Sequence, residues 1–165
     1  MIIRKATIRD FEKLKAIKLE SKKDEMKYSD SLKPLSKTID IYFEYFKAEL
    51  RKKNSSVFIA EDKKPVGIII ATYFKPLRIS KFARKGYVSN LYVKKSYRKQ
   101  GIGEKLLNIS LKWLKQNKVK YISLEIHLEN KKALKFYRNL GFEDYTLKLA
   151  KRIWFPRNIN SFRNI

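Results

Sequence analysis

Residues 90–104 read Asn90-Leu91-Tyr92-Val93-Lys94-Lys95-Ser96-Tyr97-Arg98-Lys99-Gln100-Gly101-Ile102-Gly103-Glu104. The apolar, β-rich run from Tyr87 to Val93 predicts a strand. Leu106, Leu107, Leu111 and Leu114 recur at helical spacing and predict a helix starting near Gly103. Between them, Gly101 and Gly103 remove side chains where a backbone must come close to a ligand, and the first helical turn offers unpaired N–H groups at the positive end of a dipole. Such a turn is a pyrophosphate seat, with Arg98 and Lys99 adding fixed charge beside it. The third glycine of a dinucleotide fingerprint would fall on Leu106, and no Gly-Lys-Ser/Thr closes a P-loop, so NAD and ATP readings lose their support.

On the C-terminal side of this unit, Lys120 to Leu128 alternates. Ile122, Leu124, Ile126 and Leu128 take one face and Tyr121, Ser123, Glu125 and His127 the other, which predicts a second strand. Strand, helix and strand make a right-handed βαβ crossover. A short helix with Ala133, Phe136, Tyr137 and Leu140 inward is closed by Gly141, and Phe142 to Leu149 reads as the last strand. On the N-terminal side, Val57–Ala60 and Val66–Ala71 are apolar runs separated by Glu61-Asp62-Lys63-Lys64-Pro65, the punctuation of an antiparallel hairpin. Earlier still, Ile2 to Lys5 reads as a strand, and Thr7-Ile8-Arg9-Asp10 fits a capping box. A helix with Phe11, Leu14 and Ile17 inward follows; after a polar stretch running to Pro34 comes another, carrying Ile39, Tyr42, Phe43, Phe46 and Leu50. The expected fold is α/β: one domain over residues 1–150, a mixed central sheet flanked by helices, and a polar tail at 151–165.

The chain has 165 residues, enough for a single core burying roughly 70% of the unfolded chain's surface. It contains no cysteine, which removes disulfides, thiolate nucleophiles and Cys-based metal sites, and its single histidine removes multi-His metal sites. No metal is expected. The first residues lack an apolar signal core, and no run of eighteen apolar residues occurs, so the expectation is a cytoplasmic protein with no membrane among its partners, monomeric or homodimeric. Forty Lys and Arg against sixteen Asp and Glu leave a net charge of +24. Such a field attracts polyanions, including nucleic acid, anionic lipid, a phosphorylated cofactor or an acidic protein, and equally describes a solvated lysine surface that binds nothing.

The motif Arg98-Lys99-Gln100-Gly101-Ile102-Gly103, preceded by Asn90-Leu91-Tyr92-Val93, resembles the acetyl-CoA motif of the GNAT superfamily of N-acetyltransferases. Asn130, Ala133, Phe136-Tyr137 and Gly141-Phe142 match its second half in order and spacing, so the resemblance covers about Val57 to Leu149. It implies that the backbone of Leu91, Tyr92 and Val93 bonds the pantetheine arm of acetyl-CoA, that the turn from Arg98 through Lys99, Gln100, Gly101, Ile102 and Gly103 to Glu104 holds the pyrophosphate, that Asn130 contacts the cofactor arm, and that Tyr137 protonates the leaving thiolate. Glu125, five residues before Asn130, is similar in spacing to the general base of the RimI-type N-terminal acetyltransferases; His127, on the same strand face, is the alternative base. After Gly141-Phe142 the chain reads Glu143-Asp144-Tyr145-Thr146 and departs from the RimI-type pattern. The implied activity is acetyl transfer to a primary amine, with protein or peptide N-termini ranked before small amines and polyamines disfavoured by charge. The alternative is a basic nucleic-acid- or ribosome-binding module, for which no aromatic RNA motif, helix-turn-helix or zinc finger is present.

Overall fold

The computed structural model describes residues 1–28 and 32–151, so part of the polar stretch before Pro34, and the expected tail apart from Lys151, lie outside the described residues. Contacts divide the chain into two compact units, Met1–Asn130 and the segment from Lys131 onward.

The first unit is built on five strands in spatial order: β1 (Ile2–Lys5), β2 (Ser55–Asp62), β3 (Lys64–Phe74), β4 (Lys85–Val93) and β5 (Tyr121–Ser123). Every neighbouring pair is antiparallel except β4 and β5, so the expected antiparallel half and βαβ crossover are both present. Alternation sends Val57, Ile59, Ile68, Ile70 and Tyr92 to one face, where they form a cluster with Phe11, Leu14 and Ile17 of α1 (Phe11–Met26) and Phe46 of α2 (Ile39–Arg51). The other face meets α3 (Ile102–Gln116), whose Ile102, Leu106, Leu107 and Leu114 are buried. Because β2 and β3 are covered on both sides, they read as unbroken apolar runs. Close approach of α3 depends on glycine, since a Cβ at Gly67 would stand 2.8 Å from Leu106 Cδ1 and 3.3 Å from Ile102 Cγ2.

At the N-terminus, Asp10 accepts a hydrogen bond from the Thr7 amide at 2.8 Å, as the capping pattern predicts. The same carboxylate binds Arg4 at 2.6 Å, and that guanidinium holds it well below the usual carboxylate range.

Two strand expectations are corrected. The strand expected over 120–128 is only Tyr121–Ser123; its in-and-out pattern persists through Leu124, Glu125, Ile126 and His127 without a ladder, and Leu128, expected to face inward, is exposed. Alternation records which side chains face the protein, whereas a strand also needs a partner backbone, and β4 pairs with β5 over just three residues. No strand forms over Phe142–Leu149 either, and Tyr145, Leu147 and Leu149 are exposed. In the second unit, α4 (Lys131–Asn139) ends at Gly141, whose φ of +82° lets the Gly141 amide reach the Arg138 carbonyl and the Phe142 amide the Tyr137 carbonyl, at 3.0 and 3.1 Å.

Candidate active site

The centre of the site is the edge of β4. Pairing with β5 covers Lys85 to Tyr87 and stops. Two residues later the register against β3 shifts, Ala71 opposing Val88 while Ile70 opposes Asn90, which leaves Ser89 as the extra residue of a β-bulge. Beyond the bulge the Lys94 amide donates to the Val66 carbonyl at 2.8 Å. Antiparallel ladders alternate, so Tyr92 and Asn90 exchange bonds with β3, while the N–H and C=O of Leu91 and Val93 face the other way, toward the side from which β5 has diverged. Arg98 Nε occupies the Val93 carbonyl at 2.9 Å. The Leu91 amide and carbonyl and the Val93 amide therefore form a short row of main-chain groups on that edge.

The row leads into the glycine turn. Lys99 and Gly101 have φ of +63° and +73°, and Gly101 forms the N-cap of α3, its carbonyl accepting from the Lys105 amide at 3.0 Å. A Cβ built on Gly101 meets nothing within 4 Å, so space above this turn is open while the backbone conformation still favours glycine. Gly103 and Glu104 lie in the first turn of α3, where amides have no intrahelical partner, and Ile102 anchors that turn in the core. Gln100 donates to the Ser96 carbonyl at 3.4 Å and steadies the turn from within.

Arg98 does something the sequence reading did not include. Its guanidinium stacks over the Tyr92 ring at 5.5 Å and binds Asp24 of α1 at 3.0 Å, so it ties the end of α1 to the β4–α3 junction. Lys99, exposed and in no ion pair among the described residues, is the cation of this turn with no competing partner.

Glu125 is exposed and lies two residues past the end of β5. Burial raises the Tyr87 hydroxyl above its usual range, and Glu125 and Glu25 add to the rise, so carboxylates from α1 and from the segment after β5 act on one phenol of β4. His127 stacks on Tyr28 with ring centroids 6.0 Å apart, which brings the same two segments together. Asn130 closes the segment by donating its amide to the His127 carbonyl at 2.8 Å. Within the second unit, Tyr137 sits edge-on between Phe136 and Phe142 at 5.1 and 5.5 Å, and burial pushes its hydroxyl up to about 12.

Sequence reasoning missed Tyr87 and Lys18. Lys18 is 4% exposed, with Nζ 5.2 Å and 5.1 Å from the Tyr42 and Phe46 ring centroids and 3.5 Å from Asn90 Oδ1. Burial lowers its ammonium from 10.5 to about 8. The signal was available: Phe11, Leu14, Lys18 and Ser21 continue one helical stripe, and all four are buried. Among the described residues no group of three or more His, Cys, Asp or Glu side chains is arranged to hold a metal, and no helix is long and apolar enough to cross a membrane.

A mixed sheet opened between two parallel strands, with a glycine turn at the following helix, defines a fold class for which comparison with known proteins is direct. Residues 18–142 match the family model described as Acetyltransferase (GNAT) family, and the chain belongs to that family. An uncharacterised N-acetyltransferase of Methanocaldococcus jannaschii is 30% identical over 115 residues, 66% of this chain and 50% of that protein. An N-alpha-acetyltransferase of Sulfurisphaera tokodaii is 31% identical over 106 residues, 61% of this chain and 64% of that one. The matched stretch thus spans half to just under two thirds of these relatives' lengths. A crystal structure of a predicted acetyltransferase from Clostridium acetobutylicum with acetyl-CoA shares the fold, with a TM-score of 0.73 at 23% identity over 92% of this chain and 95% of that one.

Proposed function

We propose that the protein is a cytoplasmic enzyme whose acetyltransferase domain, residues 1–150, moves the acetyl group of acetyl-CoA directly to a primary amine, the α-amine of a protein or peptide first and small amines second. One observation carries this reading: the outward main-chain row at Leu91 and Val93 runs into an open, glycine-capped helix N-terminus. An extended amide-bearing arm ending in a pyrophosphate has the matching sequence of chemical groups. Tyr92 shares the row through its neighbours' backbone and holds it in place through its buried ring.

In this mechanism the neutral amine attacks the thioester carbonyl carbon, a main-chain amide of the β4 row stabilises the developing oxyanion, and the carbon–sulfur bond breaks. Glu125 takes the proton released by the amine. Tyr137 gives its proton to the departing thiolate, a role consistent with a hydroxyl whose pKa of about 12 keeps it protonated. Asn130 would contact the cofactor arm. With no cysteine in the chain, no acyl-enzyme forms on sulfur.

Steady-state release of CoA thiol, followed from pH 6 to 10 with a peptide acceptor, tests these roles. Glu125→Gln is expected to lower turnover about 10²-fold with acetyl-CoA affinity unchanged and with partial recovery at high pH. Tyr137→Phe is expected to slow turnover without that recovery. Wild-type rates for Glu125→Gln throughout would move the base to His127 or to water, and a fully active Tyr137→Phe would return that ring to packing alone.

A further inference from the structure

One end of the sheet, where β2, β4 and β5 begin and β3 ends, carries three connections: residues 52–54, 75–84 and 117–120. Their seventeen residues contain eight Lys or Arg and no Asp or Glu. Among the described residues only Lys52 is ion-paired, with Glu49. The neighbouring connection after β1 brings one carboxylate, Asp10, and Arg4 holds it. The opposite end, beside the glycine turn, differs in having carboxylates among its cations: Lys94 binds Glu20 and Arg98 binds Asp24, while Lys63, Lys64, Lys95 and Lys99 are in no ion pair among the described residues.

The same end projects apolar side chains. Leu77 is 78% and Ile79 93% exposed, on a turn closed by the Ser80 amide donating to the Leu77 carbonyl at 2.9 Å. The loop's base is pinned: Phe82 stacks on Tyr121 at 5.2 Å, and Arg84 reaches the Asn117 carbonyl at 2.8 Å while lying over the Tyr73 ring. Two aliphatic tips are therefore held out on a fixed support and ringed by the exposed cations Lys75, Arg78 and Lys81.

We propose that this end is a docking surface for an anionic membrane, with Leu77 and Ile79 entering the headgroup–acyl boundary while the surrounding cations meet lipid phosphates. Aliphatic side chains gain by leaving water for an apolar phase, and the charge ring supplies attraction to an anionic surface. A nucleic acid offers phosphates without that apolar phase, and of the rings at this end Tyr73 packs on Trp113 and Phe82 on Tyr121, which leaves Phe74, 46% exposed, as a further apolar group beside the two aliphatic tips. A second copy would set the same unpaired cations against themselves. The surface is a peripheral contact that departs from the sequence expectation of no membrane among the partners, and it is independent of the acetyl-transfer reading.

Vesicle flotation at about 0.15 M salt, with phosphatidylcholine containing about one-third phosphatidylglycerol, provides the test. Wild type is expected to float with these vesicles and not with pure phosphatidylcholine. Leu77→Ser with Ile79→Ser, which keeps every charge, is expected to lower partitioning about tenfold, as is Lys75→Gln with Arg78→Gln and Lys81→Gln. Removing three charges at the other end, by Lys63→Gln, Lys64→Gln and Lys95→Gln, is expected to change it less than about twofold. Thermal melts of all variants, substituted at exposed positions, confirm that each is folded. The proposal fails if the double-Ser variant floats like wild type, if both triple-Gln variants lose binding equally, or if the protein binds a short RNA duplex and leaves the vesicles.

Discussion

At Lys18 an ammonium occupies a place on the α1 stripe where an apolar side chain ordinarily packs, with two aromatic faces and the Asn90 amide oxygen beside it and with Glu25, Glu49 and Lys22 near enough to act on its charge. Its pKa of about 8 lies below the usual 10.5 because burial disfavours charge. Below pH 8 both folded and unfolded chains carry the proton, and the full cost of burying the charge weighs on the fold. Between pH 8 and 10.5 the folded chain has released the proton while the unfolded chain still binds it, so this group makes stability rise with pH. At about 1.4 kcal/mol per unit, relief is on the order of 3 kcal/mol. Lys18→Met is expected to be more stable than wild type at pH 7, with the advantage shrinking toward pH 10; urea denaturation of both proteins at pH 7, 8.5 and 10 measures it. A constant difference across that range would mean Lys18 is not held in a desolvated site.

Two glycines fail differently when replaced, because one is demanded by an element's packing and the other by an element's start. At Gly67 an added side chain meets Leu106 and Ile102 in the buried seam between β3 and α3. Gly67→Val is expected to cost about 1–3 kcal/mol through overpacking, seen as a lower thermal midpoint with or without acetyl-CoA. At Gly101 the Cβ enters open space, so Gly101→Val carries only the strain of a positive φ, of order 1–2 kcal/mol. Its larger effect is expected on the ligand: acetyl-CoA should no longer raise the melting temperature of a variant that remains folded. Unchanged stabilisation by acetyl-CoA would separate the α3 turn from the pyrophosphate seat.

Over the whole molecule a net charge of +24 raises the local concentration of any polyanion, acetyl-CoA included, so affinity for it is expected to weaken as salt shortens the Debye length below about 10 Å. The ion pairs assign that dependence. Arg98 is engaged by Asp24, the Val93 carbonyl and the Tyr92 ring, whereas Lys99 is exposed beside the turn. In isothermal titrations from low to high salt, Lys99→Ala is expected to flatten the slope more than Arg98→Ala, which should instead lower the thermal midpoint by loosening α1 from the β4–α3 junction. Equal slopes for wild type and Lys99→Ala would assign the dependence to the lysine field as a whole.

Strand, glycine turn and helix over 87–114, the two apolar runs of the hairpin and the inward stripe of α1 were legible in the sequence, because each rests on local periodicity or on a glycine at a fixed offset from its neighbours. The motif residues Gly101 and Gly103 were legible for the same reason. What the tertiary structure decided involves partners far apart in the chain. β5 stops at Ser123 although its alternation runs on, because the ladder with β4 ends before the bulge at Ser89. The main-chain row at Leu91 and Val93 exists only because that divergence leaves it facing outward. Arg98 meets Asp24 across 74 positions, and Lys18 meets Asn90 across 72. Hydropathy says which side chains leave water; which backbone pairs with which, and which charge closes on which, is set only when the sheet and helices have been brought together.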